Sequence, residues 1–503
     1  MGTRSVLRLT KLIEAVCLPA ENIAGDPEIL GMTEDSRRVE SGFLFVAISG
    51  LRSDGANHLE EAVRRGAAAI LIKAGETHEF PGVTVVTTSK DPRYCYSLLA
   101  AQFFHVQPRY VVAVTGTNGK TSVVSFLRQI WSSNGIAAAS LGTLGLDAPT
   151  IKDGDWPTEL SALTTPDPVL LHRTLERLNS YGVERVAIEA SSHGLDQYRL
   201  HGVRASEAGF TNLSRDHLDY HDSMASYLGA KLRLFDEVMA PGGVAVLNRE
   251  SNVFNDVADV CERRGHRILH YGYSGHGRAA GGINLLGLSL RGAGLVLTLG
   301  FEAKEREVFV PLAGQFQAEN ILCSVGLAMA GGISFDEVVD VLPMLLPARG
   351  RMEVVGHSDN GVAVAIDYAH SPDALRNALS SFREHCGGKL ALVFGCGGDR
   401  DQGKRVEMGR IASNLADIIL VTDDNPRSEN PAAIRREVIK GCPEALEVPN
   451  REEAIKIAIG MLSDGDLLLV AGKGHESYQI VGDKQLEHSD FDVVQREINK
   501  GVN

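Results

Sequence analysis

A chain of 503 residues carrying 64 acidic and 50 basic side chains has a formal charge of −14 at neutral pH, which excludes a general nucleic-acid or anionic-membrane surface. The length is too great for one core and predicts three or four domains of ~150 residues. Seven scattered cysteines without a C-x-x-C pair fit a reducing compartment, and neither an apolar signal core nor a run long enough to cross a bilayer is present, so a soluble cytoplasmic protein is expected.

Short apolar runs alternate with helical patterns almost throughout, which predicts an α/β fold of parallel sheets covered by helices. In an N-terminal domain of residues 1–107, strands are expected at 42–48, 67–73 and 83–88, with a helix at 59–65. Residues 105–109 read as a linker. A central domain, 108–346, opens with a strand at 110 and continues with strands at 184–190, 207–212 and 244–248. Its helices are expected at 121–134, 167–181 and 223–239. Between 283 and 312 the alternation changes to strand-turn-strand around Arg291-Gly-Ala-Gly294, an antiparallel flap, and a helix at 320–330 closes the domain. Beyond Leu345-Leu-Pro-Ala-Arg-Gly350, strands at 362–368, 389–395, 417–422 and 466–471 make residues 347–503 a Rossmann-like domain.

The most informative segment is Tyr110-Val-Val-Ala-Val-Thr115-Gly-Thr-Asn-Gly-Lys120-Thr-Ser122, an apolar strand entering a glycine-rich turn and then a helix. Gly116 and Gly119 let consecutive N–H groups of Thr117 and Asn118 face an anion, and the helix adds its positive end. Lys120 is expected to reach the terminal phosphates of ATP and Thr121 to hold Mg2+. The spacing departs from G-x-x-x-x-G-K-[ST], because Val114 stands five residues before Gly119.

Glu189, in Ile188-Glu-Ala-Ser-Ser-His-Gly194, falls at the carboxyl edge of the sheet, where sites of open α/β folds form. Together with His217 it is a candidate ligand set for a divalent cation, completed by water and phosphate; a serine cap and an ordinary buried histidine are the alternatives. The serines do not form G-x-S-x-G, which argues against a hydrolase nucleophile. Read from its helical pattern alone, Lys231 is a solvated lysine. Asp367-Tyr-Ala-His370 ends a strand and suits a nucleotide. Phe394-Gly-Cys-Gly-Gly398 resembles a dinucleotide turn but has Arg400 in place of the last glycine, so an NAD site is disfavoured. Arg400, Lys404, Arg405 and Arg427 fall at adjacent strand ends, where guanidinium groups bind small carboxylates through paired hydrogen bonds.

Taken together, Thr115-Gly-Thr-Asn-Gly-Lys-Thr121, Glu189-Ala-Ser-Ser-His-Gly194, Thr211-Asn-Leu-Ser-Arg-Asp-His-Leu-Asp219, Gly350-Arg-Met-Glu353, Asp367-Tyr-Ala-His370 and Asp424-Asn-Pro-Arg427 resemble the Mur ligases, in order and over essentially the whole chain. Within that family they resemble the members that add meso-diaminopimelate to a UDP-linked muramoyl dipeptide. The resemblance implies an ATP-dependent amide ligase of cell-wall peptidoglycan synthesis, with the three domains holding the UDP end, ATP and the amino acid. Folylpolyglutamate synthetases share the loop and the plan, but are expected to lack the combined Asp-Asn-Pro-Arg and Gly472-Lys-Gly-His-Glu476 signatures. A non-enzymatic nucleotide switch has no need of two further substrate pockets.

The resemblance also implies residue roles. Lys231 matches the lysine that takes up CO2 as a carbamate and helps Thr121, Glu189 and His217 hold two Mg2+ ions, and Lys120 is catalytic with them. Asn320, Arg351, Asp367 and His370 match nucleotide contacts. Ser36, within Asp35-Ser36-Arg37, and the segment Gly50-Leu-Arg-Ser-Asp54-Gly55 match uridine-diphosphate segments, while Thr164, Thr165, Ser191, Gln197 and Arg199 match contacts to the muramoyl peptide. Gln317 departs from the family pattern, which has asparagine there. Arg400, Asp424, Asn425, Pro426, Arg427, Gly472 and Glu476 match the diaminopimelate pocket, with Arg427 facing the distal carboxylate and Glu476 the distal ammonium. L-Lysine lacks that carboxylate, and a buried guanidinium left unpaired penalises it. The expected chain is a monomer without nucleic-acid or membrane partners, closing about hinges near Pro108 and Pro347.

Overall fold

In the strand Leu390–Phe394, successive side chains alternate between two cores in the computed structural model. Leu390, Leu392 and Phe394 pack with Leu379, Phe382 and Met408, whereas Ala391 and Val393 pack with Ile366, Ile455 and Val470. A strand buried on both faces belongs to a parallel sheet sandwiched by helices. The structure describes residues 7–21, 25–50, 54–76, 78–149, 151, 163–274, 281–291, 294–358 and 361–499.

The described chain falls into two compact units, one of residues 1–115, 136–208 and 230–243, the other of 116–135, 209–229 and 244–503. The first contains a five-stranded sheet in the order Ala20–Glu21, Thr84–Thr88, Ala69–Lys73, Phe43–Val46, Gly31–Thr33, parallel except at Ala20–Glu21. Leu44, Val46 and Leu71 face one core and Phe45, Ile70 and Ile72 the other. The same unit holds the run Gly145–Asp147, Ala138–Gly142, Arg185–Glu189 and Tyr110–Thr115, in which the last three are parallel. Glu189 is the final residue of its strand, which sets its carboxylate at the carboxyl edge.

In the second unit, the six-stranded sheet runs Glu353–His357, Ala363–Asp367, Leu467–Ala471, Leu390–Phe394, Ile418–Val421, Leu446–Glu447, with only the first pair antiparallel. Register pairs Asp367 with Ala471 and Phe394 with Val421, so four strands end at one edge and their following loops converge there. This is where ligands bind in open α/β sheets. The expected flap is also present: Ile283–Arg291, Gly294–Phe301 and Lys304–Val310 pair antiparallel, with residues 292–293 of the turn outside the described residues.

The α/β class and most expected elements agree with the structure within a few residues. One differs in kind. The helix expected at 223–239 is Met224–Arg233 followed by a π-turn, Leu234–Val238, after which strand Met239–Asn248 begins. The helix expected at 320–330 is present and starts three residues earlier, at Gln317. No described helix is long and apolar enough to cross a membrane, and all seven cysteines are free.

Candidate active site

The glycine-rich turn is shaped by close approach. Gly116 has a φ of 147°, and a Cβ there would run into the Thr211 hydroxyl. Gly119 has a φ of 88°, and a Cβ would meet Asn320 Oδ1. Thr117 N–H donates to Asn212 O at 2.9 Å and Asn118 N–H to Asn212 Oδ1 at 2.9 Å, so these two N–H groups are taken up within the protein instead of facing an anion as expected, and Thr211 Oγ1 donates to Asn118 O at 2.6 Å. Gly119 caps helix Lys120–Ser133 without a side-chain acceptor, an arrangement suited to an anion at the helix start. Lys120 Nζ lies on the turn itself, donating to Gly116 O at 2.9 Å and Thr117 O at 2.8 Å.

Of the other expected nucleotide residues, Asn320 and Arg351 adjoin this turn. Arg351 donates from Nη2 to Thr121 Oγ1 at 3.3 Å and stacks over Tyr368, 4.3 Å from the ring centre. Asp367 accepts from the N–H groups of Met352 at 2.7 Å and Ala369 at 2.8 Å; burial raises its carboxyl above the ordinary value, against the pull of Arg351 and these donors. Gln317 keeps its amide in use, since its Oε1 accepts from Asn320 Nδ2 at 2.8 Å and fixes that side chain beside Gly119. Asn118 also donates to Asp373, at 3.1 Å, a partner the sequence did not single out.

The four converging loops enclose a pocket of about 160 Å3 in the second unit. Of the residues matched to the diaminopimelate pocket, Arg400, Asp424, Asn425, Arg427, Gly472 and Glu476 line it and Pro426 does not; His217 and His370 line it as well. Arg427 donates from Nη1 to Gly398 O at 2.8 Å. Burial and the neighbouring Arg400 hold its guanidinium below the ordinary value, while Asp424, Glu476 and Asp399 work the other way. The two guanidinium groups can give a carboxylate charge-assisted hydrogen bonds, in a lining that also carries Asp216, Asp219, Asp401 and Asp424, with Asp219 3.9 Å from Arg400. Asp216 is a further pocket residue, within 3.7 Å of His217 Nε2 and 3.9 Å of His370 Nε2. Burial alone would raise its carboxyl, but His217, His370 and Lys404 overcome that and bring it down to about 2. Burial and then Lys404 keep His370 below the ordinary histidine value, against Asp216.

Arg405 is not available as a ligand for a small carboxylate. It is 1% exposed and donates to Glu429 at 2.8 Å and Glu437 at 2.7 Å. Lys404 donates to His370 O at 2.8 Å. Both therefore brace loops.

In the first unit the strand end at Glu189 collects several expected residues. Glu189 is buried and accepts from Thr143 N–H at 2.8 Å and Thr143 Oγ1 at 3.1 Å. Thr164 meets the same Thr143 hydroxyl at 3.1 Å. Thr165 Oγ1 donates to Glu189 O at 2.8 Å and accepts from Ser191 N–H at 3.0 Å. Ser191 also caps helix Ser192–Asp196 through Gly194 N–H, so the capping alternative is realised alongside any contact to substrate. Arg199 joins Thr165 O at 2.8 Å to Gln197 Oε1 at 2.6 Å. Elsewhere in this unit, Ser36 donates to Glu61 at 2.7 Å and Asp54 caps a short turn, while 51–53 lie outside the described residues.

Lys231 is 1% exposed, which overturns its reading as a solvated lysine. Its neighbour Arg233 donates to Asp196 O at 2.9 Å and to Tyr198 Oη at 2.7 Å. Of the non-glycine residues with left-handed backbones, Tyr198, His217, Met352, Asp399 and Arg427 lie in these loops, with φ from 50° to 57°. Among the described residues no group of three or more His, Cys, Asp or Glu side chains gathers to hold a metal alone. Glu189 in the first unit, and separately Thr121 in the second, nevertheless each carry a hard oxygen donor of the kind Mg2+ takes with phosphate and water.

Three family models match in chain order: the Mur ligase family catalytic domain at 28–102, the Mur ligase middle domain at 114–328, and the Mur ligase glutamate ligase domain at 350–474. The UDP-N-acetylmuramoyl-L-alanyl-D-glutamate–2,6-diaminopimelate ligase of Bradyrhizobium diazoefficiens is 47% identical over 93% of this chain and 94% of its own. The ligase of the same name from Agrobacterium fabrum is 47% identical over 93% of each. A solved structure of a ligase of that name is 31% identical, with a TM-score of 0.64 over 95% of this chain and 96% of that one.

Proposed function

Because the chain belongs to the Mur ligase family, we propose that it is an ATP-dependent amide ligase that adds meso-diaminopimelate to the D-glutamate of UDP-N-acetylmuramoyl-L-alanyl-D-glutamate. The reaction belongs to cytoplasmic peptidoglycan precursor synthesis. Residues 1–107 take the UDP end, 108–346 bind ATP, and 347–503 bring the amino acid.

A carboxylate is a poor electrophile, and its oxygen leaves poorly. Transfer of the ATP γ-phosphoryl group to the D-glutamate γ-carboxylate gives an acyl phosphate, which the diaminopimelate amine attacks to release phosphate and form the amide. Lys120 and the start of helix Lys120–Ser133 bind the phosphates and offset charge during phosphoryl transfer, a step dominated by positioning and electrostatics. Arg351, Asp367, His370 and Asn320 orient the nucleotide. Ser36, Thr164, Thr165, Ser191, Gln197 and Arg199 hold the muramoyl peptide. Thr121, Glu189, His217 and Lys231, the last as its carbamate, would hold two Mg2+ ions, which supply charge neutralisation at the transferring phosphate.

The observation that carries the choice of amino acid is the pocket at the strand ends, where Arg400 and Arg427 lie with Glu476. Diaminopimelate presents both a carboxylate and an ammonium at its distal end, matching guanidinium and carboxylate together; L-lysine presents the ammonium alone. Phosphate release from ATP with the UDP-linked dipeptide tests this, comparing meso-diaminopimelate with L-lysine at equal concentration. Strong dependence on diaminopimelate is expected. Preference for lysine would retain the ligase and overturn the pocket assignment, and silence with both would overturn the ligase.

A further inference from the structure

Lys473 is 0% exposed, and its ammonium ties together the two loops that carry the amino-acid signatures. Nζ donates to Asn425 Oδ1 at 3.0 Å and to Glu476 Oε2 at 2.9 Å, while Asn425 Nδ2 donates to the same Oε2 at 2.9 Å. Asn425 Oδ1 also accepts from Ile480 N–H at 2.9 Å, and the Tyr478 ring centre lies 5.8 Å from Nζ. The flanking glycines make this turn possible. Gly472 has a φ of 115° and room for a Cβ only 2.7 Å from Asp424 Oδ2; Gly474 has a φ of 55° and a Cβ position 2.7 Å from Gly350 O. The result is a closed triangle of lysine, asparagine and carboxylate behind the pocket wall.

Burial of an ion pair is weak support for stability, because desolvation offsets the attraction; the better-attested use is to fix a unique arrangement. Here the fixed group is Glu476, which lines the pocket with Arg400 and Arg427. We propose that Lys473 is a positioning residue that determines specificity: it holds Glu476 through Oε2, leaves Oε1 for an ammonium, and balances the carboxylate charge from behind. The proposal rests on the assignment of this pocket to diaminopimelate. With Glu476 held in place beside Arg400 and Arg427, in a lining that also carries Asp216, Asp219, Asp401 and Asp424, guanidinium and carboxylate face the same end of the pocket and suit a ligand end bearing carboxylate and ammonium together. Without Lys473, Glu476 is freed and unbalanced, and a bare ammonium gains relative to the zwitterionic end.

The test is a double-mutant cycle of Lys473→Met and Glu476→Gln, read as kcat and as separate KM values for ATP, diaminopimelate and L-lysine. For Lys473→Met, KM for diaminopimelate rises at least tenfold, KM for ATP stays within twofold, and the preference for diaminopimelate over lysine narrows. Adding Lys473→Met to Glu476→Gln changes KM for diaminopimelate by less than twofold further, because the group that Lys473 positions has already lost its charge. Equal changes for ATP and diaminopimelate, or full additivity in the cycle, would overturn the role. If the single lysine variant does not fold, comparison of Glu476→Gln with the double variant decides alone, since both members of the pair are then neutral. The wild-type enzyme separates the two levels of the argument: no dependence on diaminopimelate there removes the pocket assignment, whereas dependence there with an unmoved KM in Lys473→Met removes only the lysine.

Discussion

Lys120 Nζ donates to the carbonyl of Thr117 at 2.8 Å, so the ammonium is parked on the turn that a phosphate chain would enter. These carbonyls are neutral acceptors, and a triphosphate offers stronger charge-assisted bonds. Lys120→Ala is therefore expected to fold normally and to lower kcat for phosphate release by about 10²- to 10³-fold. Steady-state phosphate release together with a thermal melt checks this; an unchanged kcat would remove Lys120 from the chemistry.

Arg427 is expected to carry the discrimination between amino acids. Losing charge-assisted hydrogen bonds to a carboxylate costs roughly 1.5–3 kcal/mol, so Arg427→Ala should raise KM for diaminopimelate by about 10- to 100-fold while changing KM for lysine little. Parallel saturation curves for the two amino acids measure it, and equal losses for both would contradict the assignment.

For Lys231, a buried position two residues before Arg233, substitution by alanine should lower activity by on the order of 10²-fold. Short-chain carboxylates such as formate or acetate should restore part of it, since each can replace the carboxylate end of a carbamate. Absence of rescue across a concentration series would count against the carbamate.

His172 gives a pH dependence of stability. It is buried with Nε2 3.2 Å from His201 O, and burial brings its imidazole down to about 4 from 6.5, against the weaker pull of that carbonyl. Between those values the unfolded chain binds more protons than the native one, so stability is complete above pH 6.5 and falls as the pH drops toward 4. The loss is on the order of 3 kcal/mol. Denaturant titrations over that window should show a slope that His172→Leu reduces, the remainder coming from His201, His270 and His370, which burial also lowers. The same substitution should cost about 1–3 kcal/mol at neutral pH for the unpaired carbonyl.

Asp490 acts in a different range. It accepts two bonds of 2.7 Å from Arg451, whose Nη2 also donates to Ala471 O at 2.9 Å, next to Gly472. Burial alone would raise this carboxyl, but Arg451 and His488 hold it well below the ordinary 3.8. Its contribution is thus present above 3.8 and lost as the pH falls through the depressed native value. Asp490→Asn leaves a buried guanidinium uncompensated and should destabilise by about 3–5 kcal/mol; an equilibrium unfolding midpoint within error of wild type would refute this.

The phosphate turn was readable because its chemistry depends on backbone freedom at Gly116 and Gly119, which only glycine provides easily, and on a lysine at a fixed offset. The strands of the last sheet were readable because burial on both faces demands uninterrupted apolar runs such as Leu390–Phe394. Lys231 and Lys473 were not readable by the same means. Helical periodicity treats a lysine as solvent-facing, and the burial of Lys473 depends on contacts with Asn425, 48 positions away in sequence. Arg405 misled for the opposite reason: a strand-end arginine looks free until Glu429 and Glu437, from later segments, are brought against it. The π-turn at 234–238 likewise carries no composition that separates it from an ordinary helix end.

His217 and Arg427 occupy left-handed backbone conformations, with φ of 55° and 51°. A side chain with a Cβ pays roughly 1–2 kcal/mol there that glycine would not. Replacement by glycine at either place should therefore relax the local chain even as it removes an imidazole or a guanidinium from the pocket. Selection for thermal endurance alone would drift toward glycine at these two positions, so a library sorted only for stability should lose the enzyme from its own active-site loops while the fold improves.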